Sequence, residues 1–214
     1  SGSVPVLRHI SNERERRTLD KSQERMARGH YLQYTLKEQL VHGMQVSNLA
    51  WSVARRMGLS DDFCHQVAVA GMLHDIGKEE ISGQIDENQE RLVVEEMHYV
   101  RLHAAAGYEI LKREGYPEEI QKMVLHHHEN MDGSGYPDNL SGEKIPLGAR
   151  IIRVCDVYAA LLSDRPYRKG FDQDTAIQLM IEEIKNFDMK IFLTFQRVIH
   201  EENNMEIILP PIEI

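Results

Sequence analysis

Residues 67–78 read Val67-Ala68-Val69-Ala70-Gly71-Met72-Leu73-His74-Asp75-Ile76-Gly77-Lys78, an apolar run that ends on a histidine and an aspartate. A run of this kind suits a helix buried in a core. Leaving His74 and Asp75 unpartnered at its end would cost several kcal/mol. A metal ion resolves that cost, because neutral imidazole and carboxylate are both good ligands for divalent first-row metals. On these two residues alone, an ordinary polar helix terminus explains the pair as well.

Other residues of the same chemistry surround it in the sequence. Glu38 and His42 are spaced i, i+4 and share one helix face. His103 lies among Val100, Leu102 and Ala106, and His127-His128 precede a glycine-rich loop. Asp156 interrupts Ile151-Ile152-Arg153-Val154-Cys155-Asp156-Val157, otherwise a core segment. Singly, His42 or His103 reads as a satisfied core histidine and Asp156 as a helix polar contact. Together, Glu38, His42, His74, Asp75, His103, His127, His128 and Asp156 place eight good ligands on apolar helices. One four- to six-coordinate ion would leave some of them unused, so the count suits a multinuclear site.

Helical periodicity extends over most of the 214 residues. Helices are expected near 34–57, 61–77, 90–113, 116–127, 146–163 and 173–200, with Gly58, Gly77, Gly115 and Gly170 at or near their ends. The segment 129–145, with Asp132, Gly133, Gly135, Pro137, Asn139 and Gly142, reads as loop. Residues 12–28 carry ten charges in seventeen positions, a solvated helix or a connector to a dimer partner or regulatory domain. The tail from Glu201 ends in Ile207-Ile208-Leu209-Pro210-Pro211, suited to an edge strand or to packing on the domain. The class is all-α with one principal domain, residues 34–200, flanked by 1–33 and 201–214.

A net charge of −9 argues against DNA or RNA duplex binding. It leaves room for a small phosphate ligand, because metal ions and a few basic residues can invert the field locally. Cys64 and Cys155 have neither metal-site nor disulfide spacing, so a reducing cytoplasm is expected. No apolar run is long enough to cross a membrane.

The order His42, His74-Asp75, Asp156 resembles that of HD-domain phosphohydrolases. Three further stretches resemble the HD-GYP branch: His74-Asp75-Ile76-Gly77-Lys78, His127-His128-Glu129 with Asp132-Gly133-Ser134-Gly135-Tyr136-Pro137, and Asp164-Arg165-Pro166-Tyr167-Arg168. The resemblance covers about residues 36–198. It implies an all-α HD helical bundle that hydrolyses cyclic di-GMP to linear dinucleotide or GMP. It further implies His42, His74, Asp75, His103, His127, His128 and Asp156 as ligands of two divalent ions, iron or manganese, with Asp75 bridging. Glu38 matches a ligand for a third ion in some members. The same resemblance gives Lys78 the scissile phosphate, Arg165 and Arg168 nucleotide contacts, and Gly135-Tyr136-Pro137 the loop over the substrate. His126 falls outside the ligand pattern and is expected on the helix surface.

Two departures bear on substrate. The segment Glu79-Glu80-Ile81-Ser82-Gly83-Gln84 replaces an Ile-x-Ile-Pro start. Ala159 stands where the family carries a second aspartate, on a face expected to point to the substrate. Another cyclic dinucleotide or nucleotide is therefore a rival substrate, and a non-catalytic cyclic-dinucleotide effector is a rival function.

Overall fold

The computed structural model describes residues 36–80, 93–164 and 169–201. Among them run helices α1 (Leu36–Arg56), α2 (Asp61–Leu73), α3 (Val93–Arg113), α4 (Glu118–Leu125), α5 (Leu147–Leu162), α6 (Gln173–Glu182) and α7 (Met189–Glu201). The chain is also helical at 77–80, and no strand occurs among the described residues. The all-α expectation holds. The charged segment 12–30, the residues 81–84 that follow Glu80, Arg165 and Arg168, and the tail 202–214 lie outside the described residues.

Local sequence sets the turns between the first helices. Gly58 and Gly115 both have positive φ, +74° and +76°, the left-handed conformation that glycine adopts at least cost. At each, the glycine N–H and the next residue's N–H bond back to carbonyls of the last helical turn: Arg55 and Ala54 after α1, Lys112 and Leu111 after α3. That double bond satisfies carbonyls the helix itself leaves open. Ser60 then caps α2, its Oγ accepting from Phe63 N at 3.2 Å. Asp61 and Asp62 follow in the first turn, where negative charge meets the positive end of the helix. The other two glycines expected at helix ends serve packing instead. A Cβ at Gly77 would strike the His103 carbonyl, and one at Gly170 the Leu162 carbonyl.

α5 is the centre of the bundle and packs against α1, α2, α4, α6 and α7. Ala149, Ile151, Ile152, Val154, Cys155 and Tyr158 are buried along it, as befits a helix apolar on most sides. α7 is amphipathic, with Ile191, Phe192, Phe195, Val198 and Ile199 inward. Phe195 packs edge-on against Tyr158 at 4.9 Å between ring centroids.

The single helix expected over 173–200 is two. A 3-10 turn at Ile184–Asn186 follows α6, and Phe187 leaves it in extended backbone. Phe187 is buried and stacks on Phe192, ring centroids 5.9 Å apart. Asp188 then starts α7, its Oδ1 accepting from Lys190 N at 2.9 Å and Ile191 N at 3.3 Å. Burial of one aromatic ring and a capping aspartate outweigh helical continuity.

This packing makes a contrast within one helix. Phe195→Ala is expected to cost about 3–5 kcal/mol in urea denaturation. Leu193→Ala, at a side chain 48% exposed, is expected to stay within about 0.5 kcal/mol of the parent. Equal losses at both positions would contradict the assignment of α7's inner face.

Candidate metal centre

The expected ligands come from five places in the bundle and meet at one. His42 projects from α1, His103 from α3 and Asp156 from α5. His74-Asp75 lie in the turn after α2, and His127-His128 in the turn after α4, just past the helices that were expected to contain them. Two histidine sets form, His42 with His74 and Asp75, and His103 with His127 and His128, the donor atoms within each lying within 4.8 Å of one another. Asp156 joins the first set, its Oδ1 at 3.0 Å from His42 Nε2 and 3.5 Å from His74 Nε2. In the second, His103 Nε2 is 3.2 Å from His127 Nε2 and 3.1 Å from His128 Nε2.

Asp75 stands between the sets. Its Oδ2 faces His74 Nε2 and its Oδ1 faces His103 Nε2, each at 3.4 Å. A carboxylate with one oxygen toward each of two imidazole clusters has the shape of a bridge between two cations.

The imidazoles are oriented from behind. His74 Nδ1 donates to Gly71 O at 2.7 Å and His127 Nδ1 to Val124 O at 2.6 Å. Those carbonyls belong to the last turns of α2 and α4, where the helix leaves acceptors open. The bonds select the tautomer that turns a bare Nε2 lone pair to the centre, the second-shell arrangement of metal-binding histidines. His74 Nε2 is buried with no hydrogen-bond partner. Three Nε2 atoms converging at about 3.1–3.2 Å likewise lack enough protons to satisfy one another. A buried orphan nitrogen and converging lone pairs fit a cation, and the donor set suits divalent ions.

The electrostatics agree. Burial alone would raise the carboxyl pKa values of Asp75 and Asp156, yet both sit well below the usual range. His74 and Lys78 outweigh burial at Asp75, and His42 and His74 do so at Asp156. Burial also opposes charge on His74, but Asp75 and Asp156 push its pKa up to about 10, marking a place where positive charge is favoured. Burial and neighbouring imidazoles hold His127 and His128 well below the ordinary value, and neutral imidazole is the ligand form.

The profile of the HD domain family matches residues 8–191. The chain belongs to that family. Its HD-GYP character follows from the company it keeps. It is 38% identical over 160 residues to a cyclic di-GMP phosphodiesterase of Pseudomonas aeruginosa, covering 74% of this chain and 39% of that protein. It is 32% identical over 160 residues to the 3′3′-cGAMP-specific phosphodiesterase 3 of Vibrio cholerae, covering 74% and 35%. The chain thus spans less than half the length of these curated relatives. A crystal structure of a cyclic GMP-AMP specific phosphodiesterase of Vibrio cholerae shares the fold, with a TM-score of 0.60, 16% identity, and coverage of 77% of this chain and 45% of that one.

In this HD-GYP domain the loop after His128 is held by residues of its own motif and by His126 before it. Glu129 is buried, and its two carboxylate oxygens accept from Asp138 N at 2.7 Å and Leu140 N at 3.0 Å. Gly135 packs so closely on the 128–130 backbone that any Cβ would strike it. The Tyr136 ring stacks on His128 at 4.7 Å, with a cis bond to Pro137 behind it. His126, expected on the surface, is buried, because its Nδ1 meets Lys122 O at 2.9 Å and its Nε2 meets Asp138 Oδ2 at 3.0 Å. Both ring nitrogens face oxygens away from the ligand cluster, so it anchors the loop.

Glu38 and Ala159 lie apart from the two clusters. Glu38 is exposed one turn before His42 and belongs to neither histidine set. Ala159 is not on the substrate face: it is 1% exposed and part of the apolar core. Three residues along a helix turn a side chain about 60° from Asp156, enough here to carry it from the cleft into the interior. Lys78 is close, its Nζ donating to Asp75 Oδ2 at 2.5 Å.

After reconstitution with a divalent metal, His127→Ala is expected to lose at least one equivalent by elemental analysis, and Asp75→Ala to lose more. His126→Ala should retain the full complement while lowering thermal stability. Metal loss in His126→Ala equal to that in His127→Ala would overturn the division between ligand and anchor.

Proposed function

We propose that this domain is a metal-dependent phosphodiesterase that hydrolyses cyclic di-GMP to linear dinucleotide or GMP. The observation that carries the reading is Asp75, whose two oxygens face two separate imidazole clusters. His42, His74, Asp75 and Asp156 would hold one ion, and Asp75, His103, His127 and His128 the other. Glu38 is assigned to a third ion. Imidazole and carboxylate donors without thiolate favour iron or manganese over a structural zinc. When bound, such ions supply electrostatic stabilisation of the phosphodiester and acidify water.

The protein's own groups do the rest. The backbone carbonyls of Gly71 and Val124 keep the imidazoles in the lone-pair-inward tautomer. Lys78, on the Asp75 flank, would place its ammonium where negative charge gathers on the scissile phosphate. Tyr136, stacked on His128, gives the cleft a fixed aromatic wall, with Gly135 and Pro137 shaping the turn that presents it. Arg165 and Arg168 are assigned to the nucleotide, where a guanidinium can stack on a base or fork onto a phosphate. The Vibrio relative specific for 3′3′-cGAMP, at 32% identity, supports a second reading in which that mixed dinucleotide is the substrate.

A turnover assay of the manganese- or iron-loaded protein on cyclic di-GMP, 3′3′-cGAMP and cyclic di-AMP tests both. Asp75→Ala should abolish hydrolysis. Lys78→Ala should keep its metal yet lose about ten- to a thousandfold in kcat, the range for one electrostatic donor. A fully loaded protein that turns over none of the three, but binds one, would move the assignment to a non-catalytic effector.

A further inference from the structure

Arg153 is a basic residue beside the ligand cluster that no motif points to. It sits on α5 three residues before Asp156, about 60° round the helix on the side away from Ala159, and unlike Ala159 it is only half-buried. Its Nε donates to Asn130 Oδ1 at 3.1 Å. That amide is oriented in turn: Asn130 Nδ2 donates to Ser134 Oγ at 3.0 Å, and Ser134 Oγ donates to Asp132 Oδ1 at 2.5 Å. Asn130 therefore presents its oxygen, not its NH₂, to the guanidinium. The half-buried Arg153 has Nε pinned while Nη1 and Nη2 keep their N–H groups without a hydrogen-bond partner among the described residues.

Its placement is specific. Through Asn130, two residues past His128, Arg153 is held on the side of the site built by His103, His127 and His128. Lys78 flanks the other half through Asp75. Arg101 closes over the Tyr136 ring at 5.3 Å from its centroid. Lys78, bonded to Asp75, and Arg153, bonded to Asn130, thus each bring positive charge beside the ligand cluster, in a chain whose net charge is −9.

A cyclic dinucleotide carries two phosphodiesters, and the metal ligands with Lys78 account for the charge of one. We propose that Arg153 grips the second, non-scissile phosphate with its two open Nη groups. This rests on the reading of the substrate as a cyclic dinucleotide. A pinned guanidinium matches two phosphate oxygens at once, which lysine cannot do. It is a specificity residue for substrates with two phosphates, and Asn130 is its positioning residue.

The test compares Arg153→Ala, Arg153→Lys and Asn130→Ala with the parent on three substrates: cyclic di-GMP, cyclic di-AMP and bis(p-nitrophenyl) phosphate, which has one phosphate. Arg153→Ala should raise KM for every cyclic dinucleotide the parent cleaves by about ten- to a hundredfold, the loss of a charged hydrogen-bond pair. Its kcat should fall much less, and the single-phosphate diester should be affected far less than the dinucleotides. Arg153→Lys should recover part of the KM, and Asn130→Ala should show a smaller loss of the same kind. An equal loss on bis(p-nitrophenyl) phosphate would place Arg153 at the scissile phosphate and overturn the proposal. A loss confined to guanine-containing substrates would place it on a base edge and overturn it too, as would unchanged KM values. A parent that cleaves bis(p-nitrophenyl) phosphate but no cyclic dinucleotide would sink the substrate reading itself, and this inference with it.

Discussion

Bare imidazole nitrogens and two carboxylates converging inside an apolar helical bundle are the constraint on which the structure turns. His74 Nε2 is buried without a partner, and His103 Nε2 lies within hydrogen-bonding range of both His127 Nε2 and His128 Nε2. No arrangement of protons satisfies such a cluster as well as a cation does. The helices are placed to bring it about: α1 and α2 pack across Gly43 and Gly71, where a Cβ would press on Met72 or Ser47. The turns after α2 and α4 then deliver their histidines with helix-end carbonyls behind them. Capping and ligand orientation are one set of bonds here, since the acceptors a helix leaves open are the acceptors that fix the tautomer.

The charge distribution follows from the same constraint. The chain is acidic as a whole, and the carboxylates nearest the site draw cations inward. Lys78 and Arg153 bring positive charge near Asp75 and Asp156, whose carboxylates alone would repel phosphate. Both are tethered, Lys78 by Asp75 and Arg153 by Asn130, which reduces the side-chain entropy lost when an anion arrives.

Much of this was legible in the residues. His42, His74, Asp75, His103, His127, His128 and Asp156 stood out because buried polar residues on apolar helices need a partner, and all seven are brought together. The helices were found from their period, since burying one face leaves a strong 3.6-residue signal. What escaped notice was set by tertiary context. Ala159 looked cleft-facing from its spacing, but only the surrounding helices decide which side of a 60° turn is interior. His126 carries no mark in sequence of the Asp138 carboxylate twelve residues on that buries it. Glu129 was quoted within a motif without a role, although a glutamate followed by a glycine-rich loop needs a use for its oxygens. The break before α7 was readable in part, since Asn186 and Asp188 bracket Phe187 with turn and capping chemistry. Arg153 was read as part of a core helix, and one sequence could not distinguish it from a surface arginine.

The loop from Glu129 to Leu140 shows what such anchoring does for recognition. Two backbone N–H groups are bonded to one buried glutamate, a glycine is pressed against the preceding strand of backbone, and an aromatic ring is stacked on a histidine. A segment rich in glycine would ordinarily lose much conformational freedom when a ligand orders it. Here that loss falls at folding, before any ligand is present. The wall beside the cleft then meets a guest in its final shape, and discrimination between guests becomes a matter of fit against a rigid surface.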